Sequence, residues 1–240
     1  MKMGANVPWQ RVRICRKGTG MIYILIILCA VLAGVFLRAE SREEYVKAVI
    51  LKGLASLCFV TIGLICSPGT HIAAMIVAGL IIGCVADVLL NLRMVFVEKG
   101  QLIFLVGILV FLTGHIMYLA AILPLCPHKV ACIVTGIVLT ALLMVWIFKR
   151  ITAKPAFKIF GVVYIGAIMI LNCVAIGNVI ADPLSFSLVF AAGAVLFLVS
   201  DIVLILNTFG SEYRQSLRNT NISLYYAGQL LIAFSLTLLA

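Results

Sequence analysis

Eight apolar runs, each close to the length of one bilayer crossing, leave this chain essentially one architecture: a bundle of membrane-spanning helices. Lipid offers no partner to a peptide N–H or C=O, so a crossing segment must satisfy its own backbone, as a helix does. A helix needs about 20 apolar residues to cross. The runs are 21–37, 46–66, 71–92, 101–123, 130–148, 157–180, 184–206 and 222–239. Only 11% of the chain is charged, against about 25% in a soluble domain. Pro68, Pro124, Pro127, Pro155 and Pro183 fall in the breaks, where helix punctuation belongs. The connections are short, which predicts antiparallel packing of sequence neighbours. Gly79, Gly83, Ala192 and Gly193 offer small surfaces for close helix contact. The expected fold is all-α and polytopic. A basic tail covers 1–20, and one transmembrane domain covers 21–240.

The net charge of +10 would suggest nucleic acid in a soluble protein. Here Lys and Arg lie mostly in the tail and loops, which reads as membrane topology, so no nucleic-acid partner is expected. An even number of helices puts both termini on one side. The opposite loops, 38–47, 93–100, 149–158 and 207–220, hold most of the basic residues, among them Arg93, Lys158 and Arg218. The positive-inside rule places those loops in the cytosol, whereas the basic tail argues for the reverse. The tail followed by 21–37 resembles a signal peptide. No small-x-small cleavage site precedes Arg38, so the segment reads as a retained first helix. Eight cysteines, most in apolar runs, show no CxxC or Cys/His ligand spacing. They read as small thiols packing between helices.

Two aspartates interrupt this apolar pattern. Asp87 lies in AGLIIGCVADVLLNL (78–92) and Asp201 in AGAVLFLVSDIVLIL (192–206). An ionisable group at membrane depth costs several kcal/mol on most estimates and marks a functional site by default. The two segments align at an offset of 201 − 87 = 114, which also sets Gly114-His115 on Gly228-Gln229. A duplicated four-helix unit would leave this pattern as a parallel repeat. A small apolar alphabet produces similar matches by chance. Helix parity sets other polar groups at the same end of the bundle: Lys52, Tyr164, Tyr225, Tyr226 and Gln229. His115 and Asn172 are deeper, roughly 20 Å in. His115 and Tyr118 share a helix face, as do Asp87 and Asn91. This layout suits an amphiphile with its head near the interface and its chain running down. A lone intramembrane His is more often a packing residue than a catalyst. Lys52 also reads as a snorkelling side chain, or as a structural lock on a carboxylate.

These residues resemble the YhhN-like lysoplasmalogenase family of integral membrane hydrolases. Lys52-Gly-Leu stands where members commonly have Lys-Pro-Leu. CVADVLLNL (84–92) resembles the Gly-Asp segment, and FLVGILVFLTGHIMY (104–118) the Phe, Gly-His and Tyr pattern. Tyr164 falls at the family's tyrosine. GAVLFLVSDIVLILNTF (193–209) is the closest match, and YYAGQLLIA (225–233) resembles the Tyr-Tyr-x-x-Gln ending. The resemblance spans roughly residues 50–235. Two departures stand out: Ala86 replaces a Gly and Gly53 a Pro. Neither removes a reactive group.

The resemblance implies an eight-helix hydrolase that opens the vinyl ether of a lysoplasmalogen. The products would be a fatty aldehyde and glycerophosphoethanolamine or glycerophosphocholine. It implies a lysophospholipid substrate drawn from membrane lipid. The expected location is the endoplasmic reticulum membrane in a eukaryote or the inner membrane in a bacterium. Such chemistry needs a proton donor, a positioned water and negative charge near a developing cation. Two carboxyls in different settings supply all three, as in glycosidases. Asp87 and Asp201 are the candidate pair, one protonated and one ionised. Lys52, Asn91, His115, Tyr118, Tyr164, Tyr225, Tyr226 and Gln229 are the candidate supports. No cofactor or metal is called for, and oligomeric state is left open. The same groups also suit a proton-coupled transporter or an inactive lipid-binding bundle. Transporters often carry helices broken by Gly or Pro at the binding site, whereas Pro here occurs only near helix ends.

Overall fold

A computed structural model describes residues 8–239, with side chains from residue 20 onward. The chain is all helical among these residues. The helices are α1 (Pro8–Ser41), α2 (Tyr45–Cys66), α3 (His71–Leu92), α4 (Gly100–Ile122), α5 (Lys129–Phe148), α6 (Pro155–Ala181), α7 (Ser185–Phe209) and α8 (Gln215–Ser235). Each contains a stretch long and apolar enough to cross a membrane, and none is interrupted midway. The protein is thus an integral, multi-pass membrane protein. Residues 1–7 of the basic tail lie outside the described residues, and the chain is helical from Pro8.

Local chemistry sets the helix ends. Thr70 caps α3 by accepting a hydrogen bond from the Ala73 amide at 3.2 Å. Pro155 opens α6 at a position where its missing N–H costs nothing. The Asn207 side chain accepts the Arg214 amide at 2.8 Å and closes the α7–α8 turn. Apolar residues such as Ile24, Leu142 and Ile180 are exposed on the outside, as a lipid-facing surface requires.

Two boundaries differ from the hydropathy reading. Helix α7 runs on to Phe209, and α8 begins at Gln215 instead of 222. The added turns of α8 are polar, and their polar groups are satisfied within the protein. Gln215 donates to Asn219 at 3.0 Å, and Arg218 is clamped to Glu40 at the end of α1. Arg218 is therefore a helix residue rather than a loop cation. Tyr225 lies ten residues into α8, in its third turn. Asp201 lies eight residues before the end of α7, about 12 Å in, while Asp87 lies about 8 Å in.

Helix packing follows the same order in the two halves of the chain. Within each half, neighbouring helices pack in order: α1 on α2 on α3 on α4, and α5 on α6 on α7 on α8. The halves then exchange their last helices, α8 packing on α2 and α4 on α6. Two close crossings are built from glycines at the same offset of 114. A Cβ added to Gly79 would come within 3.1 Å of the Gly114 carbonyl oxygen. One added to Gly193 would come within 2.8 Å of the Gly228 carbonyl oxygen. Backbones at this range leave no room for a side chain. Asp87 and Asp201 line one cavity whose walls come from both halves.

Candidate active site

Asp87 is 1% exposed, and every oxygen of its carboxylate is met by a donor. Lys52 of α2 lies 3.1 Å from Oδ1, and Ser56, one turn further along α2, donates to Oδ2 at 2.6 Å. Tyr225 of α8 also donates its hydroxyl to Oδ2. Lys52 in turn donates to Asn91 Oδ1 at 3.2 Å, one turn beyond Asp87 on α3. Helix α2 can supply both groups because Lys52 and Ser56 are four residues apart and share a face. A cation, a serine and a tyrosine thus hold this carboxylate in one orientation, as burial of a charge requires.

Asp201 is 4% exposed and has a different setting. Tyr164 of α6 donates to its Oδ2 at 2.7 Å. Among the described residues no Lys, Arg or His nitrogen lies within ion-pair distance of it. The repeat explains part of this asymmetry. Tyr225, which serves Asp87, corresponds at the offset of 114 to Phe111, which has no hydroxyl. The two halves therefore present the same carboxyl in unlike surroundings.

Both aspartates line one cavity of about 480 Å³ between the halves, together with Lys52, Tyr164 and Tyr225. The cavity adjoins two others. An apolar groove of about 690 Å³ shares Leu90, Phe104, Phe111, Tyr164 and Leu204 with it, and extends sideways to α5 and α6. A polar vestibule of about 900 Å³ lies on the loop side and shares Asn91, Arg93, Arg218 and Asn221. The deep direction is closed. His115 packs its ring 4.5 Å from Phe197 and 5.7 Å from Phe111, and Phe197 lies 5.4 Å from Tyr225. The space available to a chain therefore runs laterally between α4, α5, α6 and α7 instead of straight down, because aromatic rings fill the bundle axis.

The structure gathers most of the candidate residues around Asp87. Tyr226 donates to the Lys52 carbonyl at 3.2 Å and lies 3.4 Å from Ser56. Gln229 donates to the Tyr225 hydroxyl at 3.5 Å and accepts from Tyr118 at 2.9 Å. Tyr118 and Gln229 thus brace the tyrosine that holds the carboxylate. One candidate, His115, does not join the network, and neither does the deep polar residue Asn172. His115 Nδ1 pairs with the Phe111 carbonyl of its own helix at 2.8 Å, and its Nε2 is buried without a partner. Asn172 bonds back to the Ile168 carbonyl, also on its own helix, at 2.9 Å.

Ser56, Glu40, Arg218 and Asn221, none of them a candidate in the sequence reading, belong to the site or its wall. Ser56 had no signal, because a serine in an apolar helix ordinarily bonds its own backbone. Arg218 binds Glu40 through two nitrogens, at 2.7 and 2.8 Å, and Asn221 at 3.1 Å. Asn221 continues to Ser200 at 2.8 Å, the residue before Asp201. This chain ties α1, α8 and α7 together as one wall of the cavity.

Among known families, the YhhN family matches residues 45–236. No curated protein and no solved structure matches the chain.

Proposed function

Because the chain belongs to the YhhN family, we propose that it is a membrane-embedded hydrolase that cleaves the vinyl ether of a lysoplasmalogen. The carrying observation is that Asp87 and Asp201 line one cavity in unlike settings, one caged by a cation and two hydroxyls, the other held by a single tyrosine. The continuity of vestibule, chamber and groove supports an amphiphilic substrate. Its headgroup occupies the vestibule, its ether lies at the carboxyls, and its chain leaves through the apolar groove toward lipid.

Asp201 is the group that moves protons in this reading. Its carboxyl gives a proton to the outer carbon of the vinyl ether, and the carbon bonded to oxygen becomes an oxocarbenium ion. Asp87, ion-paired with Lys52, stabilises that cation at short range. Water adds to the cationic carbon and returns a proton to Asp201, forming a hemiacetal. The hemiacetal then loses its hydroxyl proton while the glycerol oxygen receives one, both through Asp201. The carbon–oxygen bond breaks, and aldehyde and glycerophosphodiester result. One water is consumed, and both carboxyls end as they began. Tyr164 holds the orientation of Asp201, and Tyr225 and Ser56 that of Asp87.

The test is aldehyde release by purified protein in detergent. A 1-alkenyl lysophospholipid should yield aldehyde, and the 1-acyl analogue none. Asp87→Asn and Asp201→Asn should each lower turnover by about 10²-fold or more, the usual scale for a general acid or base. Folded variants with wild-type turnover would overturn the mechanism.

A further inference from the structure

The vestibule and the carboxylate chamber meet at Arg93. We propose that Arg93 receives the phosphodiester of a glycerophospholipid headgroup, making the vestibule a headgroup site. This rests on the lipid-hydrolase reading for its orientation and adds to it the group that recognises phosphate.

Three cations surround these cavities, and two are committed. Lys52 is bound to Asp87 and Asn91. Arg218 is bound to Glu40 and Asn221. Arg93 has no such partner. It caps the C-terminus of α3 and lays its guanidinium 4.3 Å over the Phe104 ring. Among the described residues no carboxylate lies within ion-pair distance of it. The stack on Phe104 fixes the plane of the guanidinium and leaves its N–H edges free. That planar fork matches the oxygens of a phosphodiester.

Charge balance points the same way. Asp87, Asp201, Glu40 and Glu43 line the two cavities against Lys52, Arg93 and Arg218. Asp87 and Glu40 are neutralised by their pairs, and Glu43 is exposed at the outer rim. With the transferable proton on Asp201, three carboxylates face three cations, but Glu43 stands unpaired at the exposed rim, which leaves Arg93 as the lining cation with no close counter-ion among the described residues. A phosphodiester carries a single negative charge and balances it. Burial pushes the Arg93 guanidinium down to about 10, so it remains a cation at neutral pH. Burial without a counter-ion is costly for such a group, and an anion removes that cost.

Either the lipid headgroup or a free glycerophosphodiester, the reaction product, could supply this anion. Competition against a fluorescent lysophosphatidylcholine, with the full chain in detergent micelles, distinguishes the two. Lysophosphatidylcholine should bind the wild type at least tenfold tighter than 1-monoacylglycerol, and Arg93→Gln should erase that difference. Arg93→Lys, which keeps the charge but loses the fork, should fall between. Competition by soluble glycerophosphocholine in the wild type, lost in Arg93→Gln, assigns the free diester as a ligand. Its failure to compete assigns the intact lipid alone. Equal binding of lysophosphatidylcholine by wild type and Arg93→Gln, at unchanged thermal stability, would refute the proposal. If Arg93→Gln does not fold, undiminished binding by Arg93→Lys refutes it. This readout does not involve turnover. Phosphate-dependent binding without aldehyde release keeps the headgroup site and ends the hydrolase reading. Aldehyde release without phosphate preference does the opposite.

Discussion

Lys52→Met should be the most damaging single change in the bundle outside the glycine crossings. Lys52 and Asp87 are 3.1 Å apart, with side chains 6% and 2% exposed. At an effective dielectric of 20, two unit charges at that distance attract by about 5 kcal/mol. Methionine fills similar volume but leaves the Asp87 charge with only Ser56 and Tyr225 as donors. Removing one partner of a buried pair costs about 3–5 kcal/mol. Removing both charges is far milder, because Asn at 87 still accepts from Ser56 and Tyr225. The double variant Lys52→Met, Asp87→Asn should lie within about 2 kcal/mol of the wild type. A double-mutant cycle on reversible unfolding by sodium dodecyl sulfate in mixed micelles measures the difference. A coupling energy of about 2 kcal/mol or more is expected. If Lys52→Met costs under about 1 kcal/mol, or if the two changes simply add, the pair is not desolvated and the cage around Asp87 is not what orients it.

Other expectations follow from the same geometry. Tyr164→Phe removes a hydrogen bond to the protonated Asp201 carboxyl and should lower kcat about 2- to 10-fold with the fold intact, from the worth of a bond between neutral groups. Gly228→Ala should cost about 1–3 kcal/mol in the same unfolding assay, because its Cβ would meet the Gly193 carbonyl oxygen at 2.8 Å. Gly161→Leu meets open space at Cβ and projects into the apolar groove. It should spare stability and selectively slow long-chain over short-chain substrates in the aldehyde assay. His115→Phe should keep turnover within about threefold, since the ring packs among Phe111 and Phe197 and its Nε2 serves no partner. A large loss would return His115 to the chemistry.

The aspartates, Lys52 and the tyrosines were legible because each is a polar group in an apolar helix. Depth along the chain was less so. Hydropathy ended α7 early and began α8 late, since it counts Gln215, Arg218 and Asn221 as loop residues. In the fold they are satisfied by Asn219, Glu40 and Ser200. The expected downward path for a lipid chain also failed, because Phe111, Phe197 and His115 come from two helices and meet only across the bundle.

The sequence by itself determined that the chain crosses the membrane in eight helices and that two carboxyls lie inside it. It did so because lipid forces each crossing segment to satisfy its own backbone, which makes spans and their interruptions local properties. Only the tertiary structure decided which neighbours each carboxyl has. Ser56 reaches Asp87, and Glu40, Arg93 and Asn221 reach the vestibule, through helix rotation and crossing, with close glycine contacts at Gly79–Gly114 and Gly193–Gly228. Equivalent aspartates thus came to stand in unlike settings, one caged by a cation and one not. Partnership across a bundle depends on how helices face one another, and no single segment carries that information.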